Sequence, residues 1–274
     1  AAVVWLGTKM GSDHGVAGTV AMRSAFGING RHISSIIMFV VGVGWFGVQT
    51  GMVGSAAHEI MKELAPALAF TDEVWMVITG ILMASVAIWG YGAIVWLNRI
   101  AMPGLIILLI VLIYKVFVEF GDKLSAFEPS GDISFLAVIG LLPSGMAAAL
   151  ILGADYGRYV RPEGKASWAA PISVIIFFAL LAFMGLVSSA VAGTWDPVQI
   201  FVDLGLGVFG LLMLILAAWT TNVSNIYVAS LALSNMTKLS RQNTSIIATV
   251  IGIILALIGI YSLSGLQTWL SWIT

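Results

Sequence analysis

The sequence predicts an all-α polytopic membrane protein, and three observations carry that prediction. Apolar residues make up 60% of the 274 residues and charged ones only 9%, which excludes a soluble domain of ordinary composition. The apolar residues gather in seven runs near 33–62, 73–92, 100–119, 132–160, 167–192, 203–236 and 245–264. Each has roughly the 20 residues a helix needs to cross a bilayer core while satisfying its own backbone. The charges then set a direction. Lys9, Arg23, Arg31, Arg99, Arg158, Arg161, Lys165, Lys238 and Arg241 fall on one side, while the other is mainly acidic, so the loop 8–31 is expected in the cytoplasm. A net charge of −1 predicts no nucleic-acid partner, and the lack of cysteine removes thiolate metal sites and disulfides.

The elements follow in order. Residues 1–7 read as the tail of an earlier span, and 266–274 as the start of a later one, so the chain reads as a fragment of a longer protein. The span 33–62 holds "GWFGVQT", in which Trp45 and Gln49 lie four residues apart on one helix face. An aromatic slab beside an amide suits a planar, hydrogen-bonding heterocycle, while a packing tryptophan with Gln49 bonded across to a neighbouring helix fits the pair equally. The span 132–160 carries "LLPSGM", where Pro143 removes a backbone donor and Gly145 tolerates strain, so this helix is expected to break at mid-depth. At its cytoplasmic end Asp155 and Arg158 stand three apart, as a helix-end ion pair or a candidate inner gate.

The span 203–236 holds "AAWTTN". Thr220 and Thr221 offer hard oxygens suited to Na⁺ or a polar ligand, although threonines in membrane helices commonly bond back to their own carbonyls. Trp75, Trp168, Trp195 and Trp269 fall near predicted span ends and read as interfacial anchors; Trp45 and Trp219 do not. Enzyme signals fail: His58-Glu59 begins a zinc-protease-like string, but Lys62 stands where a second histidine is required. His58 therefore reads as an exposed or interfacial residue.

Four stretches together resemble the nucleobase:cation symporter-1 family, whose members include cytosine permeases and a bacterial hydantoin transporter. They are "RSAFGINGRH", "GWFGVQTG", "SGMAAALILGADYGRYVR" and "AWTTNVSNIYVASLALSN", in the family's order over nearly the whole chain. The resemblance implies a LeuT-type fold of two inverted repeats, here a single transporter domain truncated at both ends, running from the end of helix 2 to the start of helix 10. Residues 1–121 would belong to the first repeat and 132–274 to the second.

By the same resemblance Trp45 would stack on substrate, Gln49 would bond its polar edge, and Gly145, Met146 and Asn222 would complete the substrate site. Ala217, by its carbonyl, with Thr220 and Thr221 would line a Na⁺ site. Met146 stands where relatives place an aromatic residue, which puts a flexible thioether opposite Trp45. The implied activity is symport of a nucleobase or related heterocycle with Na⁺ or H⁺. The implied setting is a multi-pass protein of the cell membrane, a monomer that needs no cofactor. An amino-acid or amine carrier of the same fold, and a non-transporting membrane receptor, are the alternatives.

Overall fold

The computed structural model describes residues 2–21, 23–89, 91–128, 153–161 and 168–273, and these segments consist of helices joined by short turns. At its centre stands α3 (Arg23–Leu64), interrupted near its start by Gly27, whose φ of 72° ends one helical stretch and begins the next. Before it come α1 (Ala2–His14) and the single turn α2 (Gly18–Ala21). After it come α4 (Asp72–Trp89), α5 (Tyr91–Tyr114, prolonged by a π-helical turn Lys115–Glu119) and the short α6 (Gly121–Ser125). Residues 153–157 form a helical stub. Beyond it lie α7 (Ala169–Ala192), α8 (Pro197–Asp203), α9 (Gly207–Met236), α10 (Arg241–Leu257) and α11 (Leu263–Ile273).

Helix α3 packs against α4, α9 and α10 along most of its length, and these four form the densest unit of the molecule. Between membrane helices there is no water to expel, so close packing of small groups holds the unit together. Ala84, Ala87, Ala229, Ala232, Ala248 and Ala256 are all buried at these crossings, with Phe46, Met83 and Ile226 filling the larger gaps. A second core on the outer side joins α5, α7 and α8 through Leu108, Met184, Val187, Phe201 and Leu204.

Four described helices, His32–Leu64, Gly92–Glu119, Ala169–Ala192 and Gly207–Met236, are long and apolar enough to cross a membrane. Only 17% of the α5 window and 24% of the α7 window are buried, so these two turn apolar side chains such as Trp96, Ile110 and Leu186 outward to lipid.

Several boundaries differ from the sequence expectation for identifiable reasons. The expected span 203–236 starts later: the short α8, capped by Asp196 accepting from Val198 N at 2.9 Å, ends at Asp203, and α9 begins at Gly207 after a turn with Gly205 and Gly207 at positive φ. The expected span 245–264 starts earlier, at the Ser240 cap, and ends at Leu257, because Gly259 at φ 90° turns the chain into α11. The expected span 100–119 begins nine residues sooner, at Tyr91. Most of 132–160, with the expected break at Pro143, lies outside the described residues. Trp269 is not an interfacial anchor: it is buried, its indole lying so close on the backbone of Gly44 that a methyl group there would collide with the ring. Trp168, at 52% exposure, and Trp195, at 42%, remain open to the surroundings.

A candidate substrate and cation site on α3 and α9

Helix geometry gives α3 two adjacent faces at mid-depth, and they are treated differently. Phe46 and Thr50 are fully buried against α4, α9 and α10. Trp45 and Gln49, one residue back on the helical wheel, stay half-buried. The Gln49 carbonyl oxygen Oε1 is shielded from solvent and accepts no hydrogen bond among the described residues. Leaving such an acceptor bare costs about 1–3 kcal/mol. A ligand N–H placed over Trp45 would meet it.

Asn222 of α9, expected as a substrate contact, is bonded to α3 and to Asn225 in this arrangement. It is fully buried, its Nδ2 donates to the Phe46 carbonyl at 3.2 Å and to Thr50 Oγ1 at 3.3 Å, and its Oδ1 accepts from Asn225 Nδ2 at 3.2 Å. Both amide hydrogens are committed to α3, so none is left to offer a ligand in this arrangement. The residue ties α9 to α3 and fixes which face of α3 looks into the protein.

On the next turn back, Thr220 Oγ1 and Thr221 Oγ1 both donate to the Ala217 carbonyl, at 2.8 and 3.1 Å. That is the local bond threonine makes in any membrane helix, and it also gathers three oxygens at one point of α9. Three hard oxygens fit part of a Na⁺ shell, and further ligands would have to come from other elements. Trp219 lies alongside with its indole N–H shielded and unpartnered among the described residues. Gly145 and Met146, expected as the opposing wall, lie outside the described residues.

The expected Asp155–Arg158 pair takes another form. Buried Asp155 accepts from the backbone N–H of Gly18 at the start of α2, and the two residues form no ion pair within 4 Å among the described contacts. Arg158 Nη2 instead donates to Tyr227 Oη of α9 at 2.6 Å and to Tyr159 Oη at 3.0 Å.

At the outer end of α3, Ser55 donates to Asp72 Oδ2 at 2.7 Å, and His58 meets the Phe70 carbonyl at 2.5 Å, with its other ring nitrogen 3.8 Å from Asp72. His58 is thus a local tie between α3 and the start of α4, not a free surface residue. A cavity of about 370 Å³ opens beside it, lined by Met52, Ser55, Trp195, Asp196 and Tyr261 among others. Tyr261 lies in the turn after α10. Burial foremost, then Asp72, Glu73 and Asp196, pushes its phenol above the ordinary range.

Sequence reasoning missed Thr50, Asn225, Tyr227 and Arg241. Thr50 and Asn225 carry a usable signal, since each lies one turn or less from a residue already singled out and is polar at mid-span. Tyr227 and Arg241 carry none, because their meaning comes from partners far away in the chain.

A family profile described as permease for cytosine/purines, uracil, thiamine, allantoin matches residues 1–274. The cytosine permease of Escherichia coli strain K12 is 26% identical over 264 residues, covering 96% of this chain and 61% of its own length. A hydantoin permease of Microbacterium maritypicum is 25% identical over 234 residues, covering 76% of this chain and 47% of the relative. The chain therefore spans less than two thirds of the curated relatives it matches. Among solved structures, the nucleobase-cation-symport-1 transporter Mhp1, in a closed conformation with bromovinylhydantoin bound, superposes with a TM-score of 0.80 at 21% identity. That superposition covers 99% of this chain and 64% of Mhp1, and it shows the LeuT-type fold.

Proposed function

The chain belongs to the cytosine/purine, uracil, thiamine and allantoin permease family, and on that premise we propose that the full protein is a secondary active symporter importing a planar nucleobase or related heterocycle. The observation that carries the reading is the Gln49 oxygen, buried beside Trp45 with no donor among the described residues. Trp45 supplies a ring for stacking, worth about 1–3 kcal/mol per base. Gln49 supplies the acceptor that selects an N–H edge, and a bare acceptor rejects analogues lacking the donor more strongly than it rewards those that have it.

The coupling ion is Na⁺ or H⁺, and the oxygens of Ala217, Thr220 and Thr221 favour Na⁺. Cation and heterocycle would bind to neighbouring helices that Asn222 holds in register, so each would stabilise the arrangement the other needs. Relatives described as cytosine permease and hydantoin permease, at similar identity, support a cyclic amide or amidine as the substrate class, and uptake assays identify its member.

Uptake of radiolabelled cytosine, purines, uracil and hydantoins by the full-length protein tests the proposal. Transport of at least one, lost by tenfold or more in Trp45→Ala, is expected from the stacking energy. Uptake unchanged in both Trp45→Ala and Gln49→Ala would sink the site. Uptake that collapses with a protonophore and ignores Na⁺ would remove the sodium assignment.

A further inference from the structure

We propose that Arg158 is the movable half of a cytoplasmic latch whose fixed half is Tyr227, and that this contact holds the inner side of the transporter shut. The proposal rests on the transporter reading above and names the group that controls access to its site from within.

The fixed half is built into the dense unit of α3, α4, α9 and α10. Arg241, in the first turn of α10, donates through Nη1 to the Ala87 carbonyl at 2.8 Å and through Nη2 to the Ile88 carbonyl at 2.7 Å. It thereby caps the last turn of α4 with a cation, where the helix presents unpaired carbonyls. The same guanidinium lies 5.6 Å from the ring centre of Tyr227 on α9. Tyr227 is 6% exposed and belongs to the core of that unit, while its hydroxyl accepts from Arg158.

The movable half follows the helical stub 153–157, which lies on α1. Residues 153–157 cross α1 at backbone contact: a methyl group at Gly11 would collide with the Ala154 carbonyl, and one at Gly157 with the Thr8 carbonyl. Gly7 and Gly153 face each other more loosely one turn away, so small residues four apart on both helices line the crossing. Through this crossing the stub is joined to α1, and α1 packs on the start of α7 and on α2, which in turn packs on α3. Arg158 follows the stub by one residue and bridges from it to α9, beside the Tyr159 hydroxyl, which also meets Tyr227, and the Tyr156 ring, which packs on the core of α3 and α9.

The chemistry suits a contact that must open in every cycle. Arg158 reaches Tyr227 at 2.6 Å and Tyr159 at 3.0 Å, and the two phenol oxygens are 3.0 Å apart, so three groups close one ring of hydrogen bonds. Its acceptors are neutral phenols, which bind a guanidinium more weakly than a carboxylate would. Two cations, Arg158 and Arg241, also converge on one tyrosine and repel each other. Such a contact orders the closed state without locking it. The charge asymmetry of the sequence puts it on the cytoplasmic side, and it lies beyond Thr220 and Thr221 on the same helix, where a path from the site to the cytoplasm would pass.

The 274 residues contain no cysteine, which makes thiol labelling a direct readout. In the full-length protein, with any cysteine elsewhere replaced, Ser224→Cys would report from one turn inside Tyr227 and Ser55→Cys from the outer cavity. A membrane-impermeant thiol reagent would be applied from each side. Tyr227→Phe removes one hydroxyl, and is expected to raise inner labelling of Cys at 224 about tenfold while lowering outer labelling at 55. Arg158→Lys, which keeps the charge, should fall between Tyr227→Phe and the parent. Unchanged labelling in Tyr227→Phe and Arg158→Ala would overturn the latch, and so would a rise at both reporters, which marks general loosening. The readout needs no substrate. Reciprocal labelling in a protein that carries no heterocycle would sink the substrate reading and keep the latch; normal uptake without reciprocity would do the opposite.

Discussion

Two side-chain amides sit at similar depth on facing helices, and the protein treats them in opposite ways. Asn222 is fully buried with its amide bonded on both sides, to Phe46, Thr50 and Asn225. Gln49, one residue before Thr50, has a shielded oxygen with no donor among the described residues. Both environments are apolar, so the cost of a missing bond is alike. The difference teaches that the fold pairs the mid-depth amide that ties two helices together and leaves the other with an open acceptor, the group on which the proposed substrate site rests.

The comparison can be broken most sharply at Asn222. Asn222→Ala deletes the bonds that tie α9 to α3 and leaves a gap, so a loss of about 2–4 kcal/mol is expected, read as a lower thermal midpoint with or without ligand. A midpoint unchanged from the parent would mean that the tie is not structural.

The second substitution is Gln49→Leu, which removes an unpaired acceptor instead of a paired one. Stability should hold or rise by about 1 kcal/mol, while heterocycle affinity falls tenfold or more, measured by ligand-induced thermal shift on the full-length protein. If both amide variants lose stability equally, the two sites are of one kind after all.

The smallest effect is expected at Thr221→Val, which keeps shape and removes one oxygen from the group at Ala217. Substrate affinity without Na⁺ should barely change, and the stimulation by Na⁺ should drop severalfold in an uptake assay. Equal stimulation in parent and variant would leave the threonines as ordinary back-bonded residues.

Much of this was legible in the residues. Long apolar runs and one-sided charge predict membrane-crossing helices, because a helix in lipid must satisfy its own backbone. Trp45 and Gln49 could be paired from spacing alone, since residues four apart share a helix face whatever surrounds them. Trp269 misled, because a tryptophan near a span end usually anchors at the interface. Its burial on Gly44 depends on a helix more than two hundred positions away. The tie of Asn222 to α3 was not legible for a related reason: its type and depth suit a ligand contact as well as a helix tie, and its partners Phe46 and Thr50 lie far away in the chain.

What the sequence determined by itself was therefore the class, most of the helices and the local faces, all consequences of short-range geometry and transfer from water to lipid. What only the tertiary structure decided was which polar group meets which. Gln49 is left open, Asn222 is closed, and Arg158 turns to a tyrosine 69 positions on instead of its neighbour Asp155. Hydrogen bonds extend over about 3 Å, and the crossings that bring distant helices that close are set by packing along their whole length.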